Sequence, residues 1–313
     1  MNSAKNPIYQ NAKGCLILGL ASLIWGFAFA VQSHAADLIP PFLFNGSRSL
    51  IAAAFLWGFL GLRKAIFKKR ILPQSSADRK KLFVVGLICG ILLTVTVNFQ
   101  QFGLAVYPEG VAAEARAGFL TALYVILVPL FAMFVGRKPS PTVWLGVAVA
   151  AVGIYLLCFA GGIGQVYWGD ALVLLCAFGF TFHILVIDRY GSALDGIALS
   201  MIQFLVCGVL SALISLPTEE MIWSNLPAVM PNLLYMGILS SGVAYTLQIV
   251  GQKYAEPAVA SIVMSLESVF AALGGWILLN NTLSSRELIG CALVFVAILL
   301  AQLPPISFRK KRV

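Results

Sequence analysis

The sequence is poor in charge. Only 11% of its 313 residues are Asp, Glu, Lys or Arg, against about a quarter in a soluble domain. Hydrophobic residues make up 60%, and the mean hydropathy is +0.93. A single water-soluble core of this length does not hide that much apolar surface, which excludes a soluble globular domain. Histidine is scarcer still: there are 2, His34 and His183. A membrane-embedded enzyme acting on lipid wants paired carboxylates, histidines or a metal cluster in one leaflet. These two histidines sit at different expected depths, so the chain does not read as an enzyme. The 6 cysteines (Cys15, Cys89, Cys158, Cys176, Cys207, Cys291) fall in or at the ends of apolar stretches. No pair has metal-ligand spacing, so they read as small buried hydrophobes, and neither metal nor cofactor is expected. A phosphate-cradling GxxxxGK[ST] loop is missing, so this chain encodes no ATP motor. A clean signal-peptide cleavage pattern is missing too. The apolar stretch that begins near Gly14 therefore reads as a first membrane helix.

What the sequence does have is apolar length. Ten segments are long enough to cross a hydrocarbon core, roughly 20 residues at about 1.5 Å each. They lie at 14–35, 42–62, 82–104, 110–135, 142–160, 169–188, 194–216, 227–249, 257–279 and 285–303. Barrel strands would be half as long and would alternate, so the pattern predicts an all-α integral membrane protein of ten transmembrane helices.

The formal net charge of +9 would suggest nucleic acid in a soluble protein. Here the cations sit in short connections. Arg63, Lys64, Lys68, Lys69, Arg70, Arg79, Lys80 and Lys81 follow the second segment. Arg137 and Lys138, Arg189, Lys253 and the tail from Arg309 to Arg312 follow later even-numbered segments. The odd-numbered turns carry Asp37, Glu109, Glu219 and Glu220, with Arg286 the exception. Cations collect on the cytoplasmic side, so both termini are expected in the cytoplasm, and nucleic acid is not an expected partner.

The chain also repeats itself. Tyr107-Pro-Glu-Gly-Val-Ala-Ala echoes Tyr254-Ala-Glu-Pro-Ala-Val-Ala. Trp144-Leu-Gly-Val echoes Leu288-Ile-Gly-Cys, and Trp25-Gly-Phe-Ala-Phe echoes Phe178-Gly-Phe-Thr-Phe. Five segments per half is an odd number, so corresponding helices cross in opposite senses and the halves, 14–160 and 169–303, form an inverted repeat. Such repeats support alternating access around a site near mid-membrane.

Polar residues inside the segments are the candidates for that site. The stretch from Val106 to Phe134 holds Glu114 and Arg116 among alanines, with Pro129 interrupting its second half. Ionisable residues at such depth face a polar interior. Arg48 and Arg116 lie about seven residues in from one end of their segments, roughly 10 Å deep. Glu114 is expected to neutralise Arg48 or Arg116. Two readings stand: a fixed clasp between the second and fourth segments, or an unpaired arginine that meets an anionic group on a substrate. Helical spacing arranges further stripes: Trp25, Phe29 and Gln32; Asn45 with Arg48; Thr94, Asn98 and Gln101; Glu114, Gly118 and Thr121; Ser241, Tyr245 and Gln248. A shared cavity or packing between helices accounts for them. Glu267 sits mid-segment, where desolvation disfavours its charged form, and is a candidate for proton coupling. His183 either shuttles a proton or packs against Phe182. Gly19, Gly26, Gly86, Gly90, Gly146, Gly153, Gly274 and Gly275 are expected to let helices approach closely.

In combination these residues resemble a known family. Ile24-Trp25-Gly26-Phe27, Phe44-Asn45 with Arg48, Arg116-Ala-Gly-Phe-Leu-Thr, Tyr124 through Pro129, Gly136-Arg-Lys-Pro-Ser, Trp144-Leu-Gly, Leu266-Glu-Ser-Val-Phe and Gly290 occur in the order seen in the drug/metabolite transporter superfamily. The chain is similar to its ten-helix members with two EamA domains, over roughly 14–303. The resemblance implies a secondary transporter, and specifically an exporter of a small polar or amphipathic metabolite, amino acid or drug. It further implies a bacterial inner (plasma) membrane, surrounding lipids, a small-molecule substrate, protons as the candidate coupling ion, and a monomer or weak homodimer. A non-transporting channel or scaffold is the alternative. Two departures stand out: Glu267-Ser268 where many relatives have Glu-Pro, and Asn281 where many have glutamate. Without the proline, the ninth segment is expected to be straighter.

Overall fold

The computed structural model describes residues 7–68, 70–108, 113–158, 166–220, 223–279 and 284–303. Every regular element among them is a helix. In chain order these are α1 (Pro7–Ala36), α2 (Pro41–Phe67), α3 (Ser76–Ala105), α4 (Ala113–Ala122), α5 (Tyr124–Phe134), α6 (Pro141–Cys158), α7 (Trp168–Val186), α8 (Gly196–Thr218), α9 (Leu226–Leu234), α10 (Tyr245–Gly251), α11 (Pro257–Met264), α12 (Leu266–Leu279) and α13 (Ser285–Gln302). A π-turn, Ile187–Gly191, extends α7, and a longer π-helical stretch, Tyr235–Ala244, joins α9 to α10.

Seven helical stretches are long and apolar enough to cross a membrane, and three more, Pro141–Leu156, Pro257–Ala271 and Leu288–Ala301, are apolar but shorter. The shorter three overlap the expected segments 142–160, 257–279 and 285–303. The outside of the bundle is apolar: Leu16, Trp57, Ile66 and Phe134 are among many large hydrophobics left exposed. In water such a surface would aggregate; against lipid tails it is at home.

Two expected single helices are interrupted. Pro129 does not break the fourth segment; it lies buried within α5, and the break comes at Leu123. The ninth segment is not continuous either, although Ser268 and not proline follows Glu267 and a straighter helix was expected. It breaks at Ser265. The physical reason is visible in the hydroxyls. Ser261 Oγ donates to Ala258 O at 2.8 Å and Ser265 Oγ to Ile262 O at 2.7 Å. These bonds compete with the backbone for carbonyls and tighten the turn, as serine does inside helices.

The strongest packing joins early helices to late ones: α2 with α8, α3 with α7 and α8, α6 with α13, and α1 with α12. One core cluster runs through α5, α6, α11 and α13, and a second through α2, α3 and α8. Trp25 and Phe180 pack against both. The glycines set the distances. Val206 and Ile202 of α8 sit where Gly90 and Gly86 of α3 would carry side chains. Gly146 and Gly153 of α6 lie against Ala297 O and Gly290 O of α13, each 2.9 Å from a would-be Cβ. Gly19 behaves differently, because nothing approaches it within 4 Å. Side-chain space at Gly274 and Gly275 lies outside the described residues.

Gly26 is the tightest of these contacts near the middle of the bundle. A Cβ there would meet Phe270 and lie 2.9 Å from Glu267 O and from Ala271 N. The replacement Gly26→Leu is expected to force α1 off α12, at a cost of about 1–3 kcal/mol or more. The midpoint of thermal unfolding of the purified protein should drop by several degrees, while Gly19→Ala leaves it unchanged. Equal midpoints for wild type and Gly26→Leu would show that the α1–α12 contact is not tight.

Candidate functional site

A cavity of about 510 Å³, counting its open mouth, lies between the two core clusters. α1 contributes Trp25, Phe29 and Gln32, α2 contributes Arg48, and α3 contributes Gln100. Thr121 and Tyr124 enter from either side of the break at Leu123, and Met264 and Glu267 from either side of the break at Ser265. Phe180 and Ile184 of α7, Met236 and Ser240 of the π-helical stretch, and Tyr245 and Gln248 of α10 complete the wall with Ala28. Two broken helices and a π-helical stretch thus meet at one place. Wide or interrupted turns free backbone groups for other partners. Ser240 O shows this by accepting the indole N–H of Trp25 at 3.3 Å. The Trp25 ring also meets the Tyr245 ring edge to face, with centroids 4.9 Å apart.

Eight residues expected from the sequence line this cavity: Trp25, Phe29, Gln32, Arg48, Thr121, Tyr245, Gln248 and Glu267. Five others, Asn45, Asn98, Gln101, Arg116 and His183, do not. Asn45 and Asn98 bond to each other, Nδ2 to Oδ1 at 3.0 Å, and Asn98 Nδ2 also donates to Ser211 Oγ of α8 at 3.0 Å. One stands on α2 and the other on α3, and with Ser211 of α8 they tie three helices together. Gln101 likewise donates to Gln32 O at 3.0 Å and joins α3 to α1. Its neighbour Gln100 takes the cavity position and donates to Thr121 Oγ1 at 3.1 Å.

Arg116 has a carboxylate partner, and it is Asp170 at the start of α7. Nε and Nη2 of the guanidinium donate to Oδ1 and Oδ2 at 3.0 and 2.5 Å. Tyr107 donates to the same carboxylate at 2.7 Å, and the guanidinium stacks 5.0 Å from the centre of the Tyr167 ring. Burial, followed by the bonded Asp170 carboxylate, pushes the Tyr107 phenol well above its ordinary value, so it stays protonated and keeps donating. This cluster clasps α3, α4 and α7 at one end of the bundle. The side chain of Glu114, the expected partner, lies outside the described residues.

Arg48 is different. It is 4% exposed, its guanidinium lies 5.5 Å from the centre of the Phe44 ring, and its buried Nε has no partner. Glu267 is 5% exposed and accepts a hydrogen bond from Tyr124 OH at 3.0 Å. His183 is fully buried behind the wall, with Nε2 3.1 Å from Gln203 Oε1, its ring 6.0 Å from that of Tyr245, and Nδ1 without a partner. It does not pack on Phe182, which turns outward and is 42% exposed. Sequence reasoning missed Tyr124, Gln100, Phe180 and Ser240. Tyr124 carried a signal, since it follows Thr121 by three residues and so extends the same helical stripe. Among the described residues no group of three or more His, Cys, Asp or Glu gathers to hold a metal.

Known proteins are similar to this chain along most of its length. The model of the EamA-like transporter family matches residues 12–159 and 167–303. An uncharacterized transporter of Archaeoglobus fulgidus is 30% identical over 287 residues, 91% of this chain and 84% of that protein. The uncharacterized inner membrane transporter YedA of Escherichia coli K12 is 27% identical over 300 residues, 93% of this chain and 91% of that protein. An S-adenosylmethionine/S-adenosylhomocysteine transporter of Chlamydia muridarum is 24% identical over 315 residues, 92% of this chain and 93% of that protein. A solved crystal structure has the same fold, with a TM-score of 0.74 at 22% identity, covering 93% of this chain and 96% of that one. With both matched stretches together spanning nearly the whole sequence, the chain belongs to the EamA-like transporter family, a membrane protein whose relatives are transporters and not enzymes.

Proposed function

We propose that this protein is a secondary transporter that moves a small polar or amphipathic metabolite by alternating access through the central cavity. The observation that carries the reading is the convergence of interrupted helices on that cavity: the breaks at Leu123 and Ser265 and the π-helical stretch all contribute wall residues. Discontinuous helices at a mid-membrane site are how secondary transporters bind cargo and change access. On this reading the ten apolar segments all cross, the halves 14–160 and 169–303 are inverted five-helix repeats, and the two breaks are symmetry partners. Cargo leaves the cell, and the protein works in the plasma membrane as a monomer or weak homodimer. Amino acids, drugs and the S-adenosyl compounds named for the chlamydial relative are the first cargoes to try.

Protons are the coupling ion in this proposal. Glu267 faces the cavity, is nearly inaccessible otherwise, and is held by a single phenol. A carboxylate in that position gains or loses a proton as its surroundings change from wet to dry. His183, behind Tyr245, is the other group able to pass a proton. Purified protein in liposomes should release or take up protons when cargo from a broad metabolite panel is added. Glu267→Gln should abolish that signal while the protein stays folded. Cargo flux of wild-type rate in Glu267→Gln, with no proton movement in either protein, would leave a uniporter or exchanger instead. Counterflow separates a carrier from a channel: trans-side cargo should accelerate uptake several-fold.

Both termini and the connection between α2 and α3 are on the cytoplasmic side in this proposal. Cysteine placed at Lys68 should react with an impermeant thiol reagent only in inside-out vesicles, and cysteine at Glu220 only in right-side-out vesicles. The opposite pattern would invert the topology.

A further inference from the structure

We propose that Arg48 is the anion-recognition residue of the cavity, and that the cavity selects dipolar molecules by setting Arg48 against Glu267. The inference rests on the transport reading of this cavity and adds what its cargo must look like. Among the described residues Arg48 has no hydrogen-bond and no ion-pair partner, although it is 96% buried by its 4% exposure. The Phe44 ring lies beside the guanidinium, with the ring centre 5.5 Å away, and accepts no strong hydrogen bond. Three other arginines have carboxylate partners, and two of them, Arg63 and Arg116, are largely buried. Arg63 has Asp195 at 2.7 Å, Arg116 has Asp170 at 2.5 Å, and Arg137 has Asp188 at 2.8 Å. Arg48 alone is held at a cavity wall with its fork unfilled. A planar, always-charged donor fork matches a carboxylate in bidentate fashion.

Glu267 stands in the same wall and makes no ion pair with Arg48. One oxygen takes the Tyr124 hydroxyl, and no hydrogen bond occupies the other. A buried guanidinium and a buried carboxyl group therefore line one cavity without bonding to each other. The rings of Trp25, Phe29, Phe180 and Tyr245 line the same cavity. The complement is a molecule with a carboxylate at one end, an ammonium or other strong donor at the other, and an apolar body between. A monocation would meet Arg48 unshielded, and like charge at close range costs specificity more than any apolar contact restores.

Three probes with one body and three charge patterns test this: phenylalanine, 3-phenylpropionate and phenethylamine. Ligand-induced thermal stabilisation and equilibrium dialysis on the detergent-purified full chain give affinities without any need for transport. The expected order for wild type is phenylalanine, then 3-phenylpropionate, then phenethylamine. Arg48→Gln should weaken both carboxylates by about tenfold to a hundredfold, the range of a lost charge-assisted hydrogen bond, and erase the preference for anion over cation. Arg48→Lys should restore part of that preference, which a merely structural role would not do. Glu267→Gln should erase the advantage of phenylalanine over 3-phenylpropionate. The proposal is overturned if phenethylamine binds wild type best, if none of the three binds, or if folded Arg48→Gln keeps the wild-type order. Persistence of counterflow with an uncharged cargo would then leave the transport reading standing, whereas loss of counterflow with intact charge selection would remove transport and keep the recognition site.

Discussion

A full charge in hydrocarbon needs either a partner or water, and the arrangement of this bundle follows from that constraint. The residues that satisfy it near the helix ends come in pairs from distant parts of the chain. Arg63 meets Asp195, which also caps α8 by accepting from the N–H groups of Ile197 and Ala198. Arg137 meets Asp188 where α7 ends, and Arg116 meets Asp170 where α7 begins. These pairs differ in worth. Arg137 is 48% exposed, so screening leaves its pair little. Arg116 and Asp170 are each 11% exposed, and removing one would strand the other, a loss of up to about 3–5 kcal/mol when fully buried. Glu219 does comparable work without a cation: its two oxygens accept from the N–H groups of Phe42 and Leu43, which open α2 and have no partner within the helix. The charges at the periphery thus tie α2 to α8, α5 to α7, and α4 to α7, and only the centre is left with Arg48 and Glu267.

Lipid supplies little drive for helices to associate, so the centre is held by close approach and by hydrogen bonds between helices. Glycines on α3 and α6 admit the bulk or the backbone of α8 and α13, and Gly26 brings α1 against the backbone of α12 beside Glu267. The asparagine pair, Asn45 and Asn98, then joins α2, α3 and α8. Because the largest contacts join early helices to late ones, neither half has a complete core without the other. The cavity is what remains between two clusters that are each well filled.

Most of this was legible in the sequence because the membrane writes a simple code. Apolar length gave the helices, and the rarity of buried charge gave Arg48, Arg116 and Glu267 as residues that must have company or a cavity. Periodicity identified the polar faces but could not say what each face met. Asn98 and Gln101 share a face with one another, and that face packs on α8 and α1, while Gln100, one residue away, turns into the cavity. One residue is 100° of rotation, which depends on how α3 is set against its neighbours and not on α3 itself. The partner of Arg116 was hidden for a related reason. Asp170 is 54 residues away in sequence, whereas Glu114 was close in the chain. Proline was also an incomplete guide, since Pro129 sits within α5 and serine hydroxyls mark the break at Ser265.

The positions of the interruptions carry one more step. A continuous helix resists bending because each residue holds a backbone hydrogen bond that must stretch on the convex side. At Leu123, at Ser265 and along Tyr235–Ala244 that ladder is already irregular. These are therefore the places where the bundle bends at least cost. Each lies beside a wall residue that holds another part of the wall: Tyr124 holds Glu267, Ser240 holds Trp25, and Thr121 accepts from Gln100. On the transport reading, a change in what occupies the cavity alters these bonds first, and the irregular turns next to them are free to follow. The buried peripheral ion pairs bind α2 to α8 and α4 to α7 as units, so on the transport reading the movement is in how those units sit around α1, α10 and α12, which bring Trp25, Tyr245 and Glu267 to the cavity.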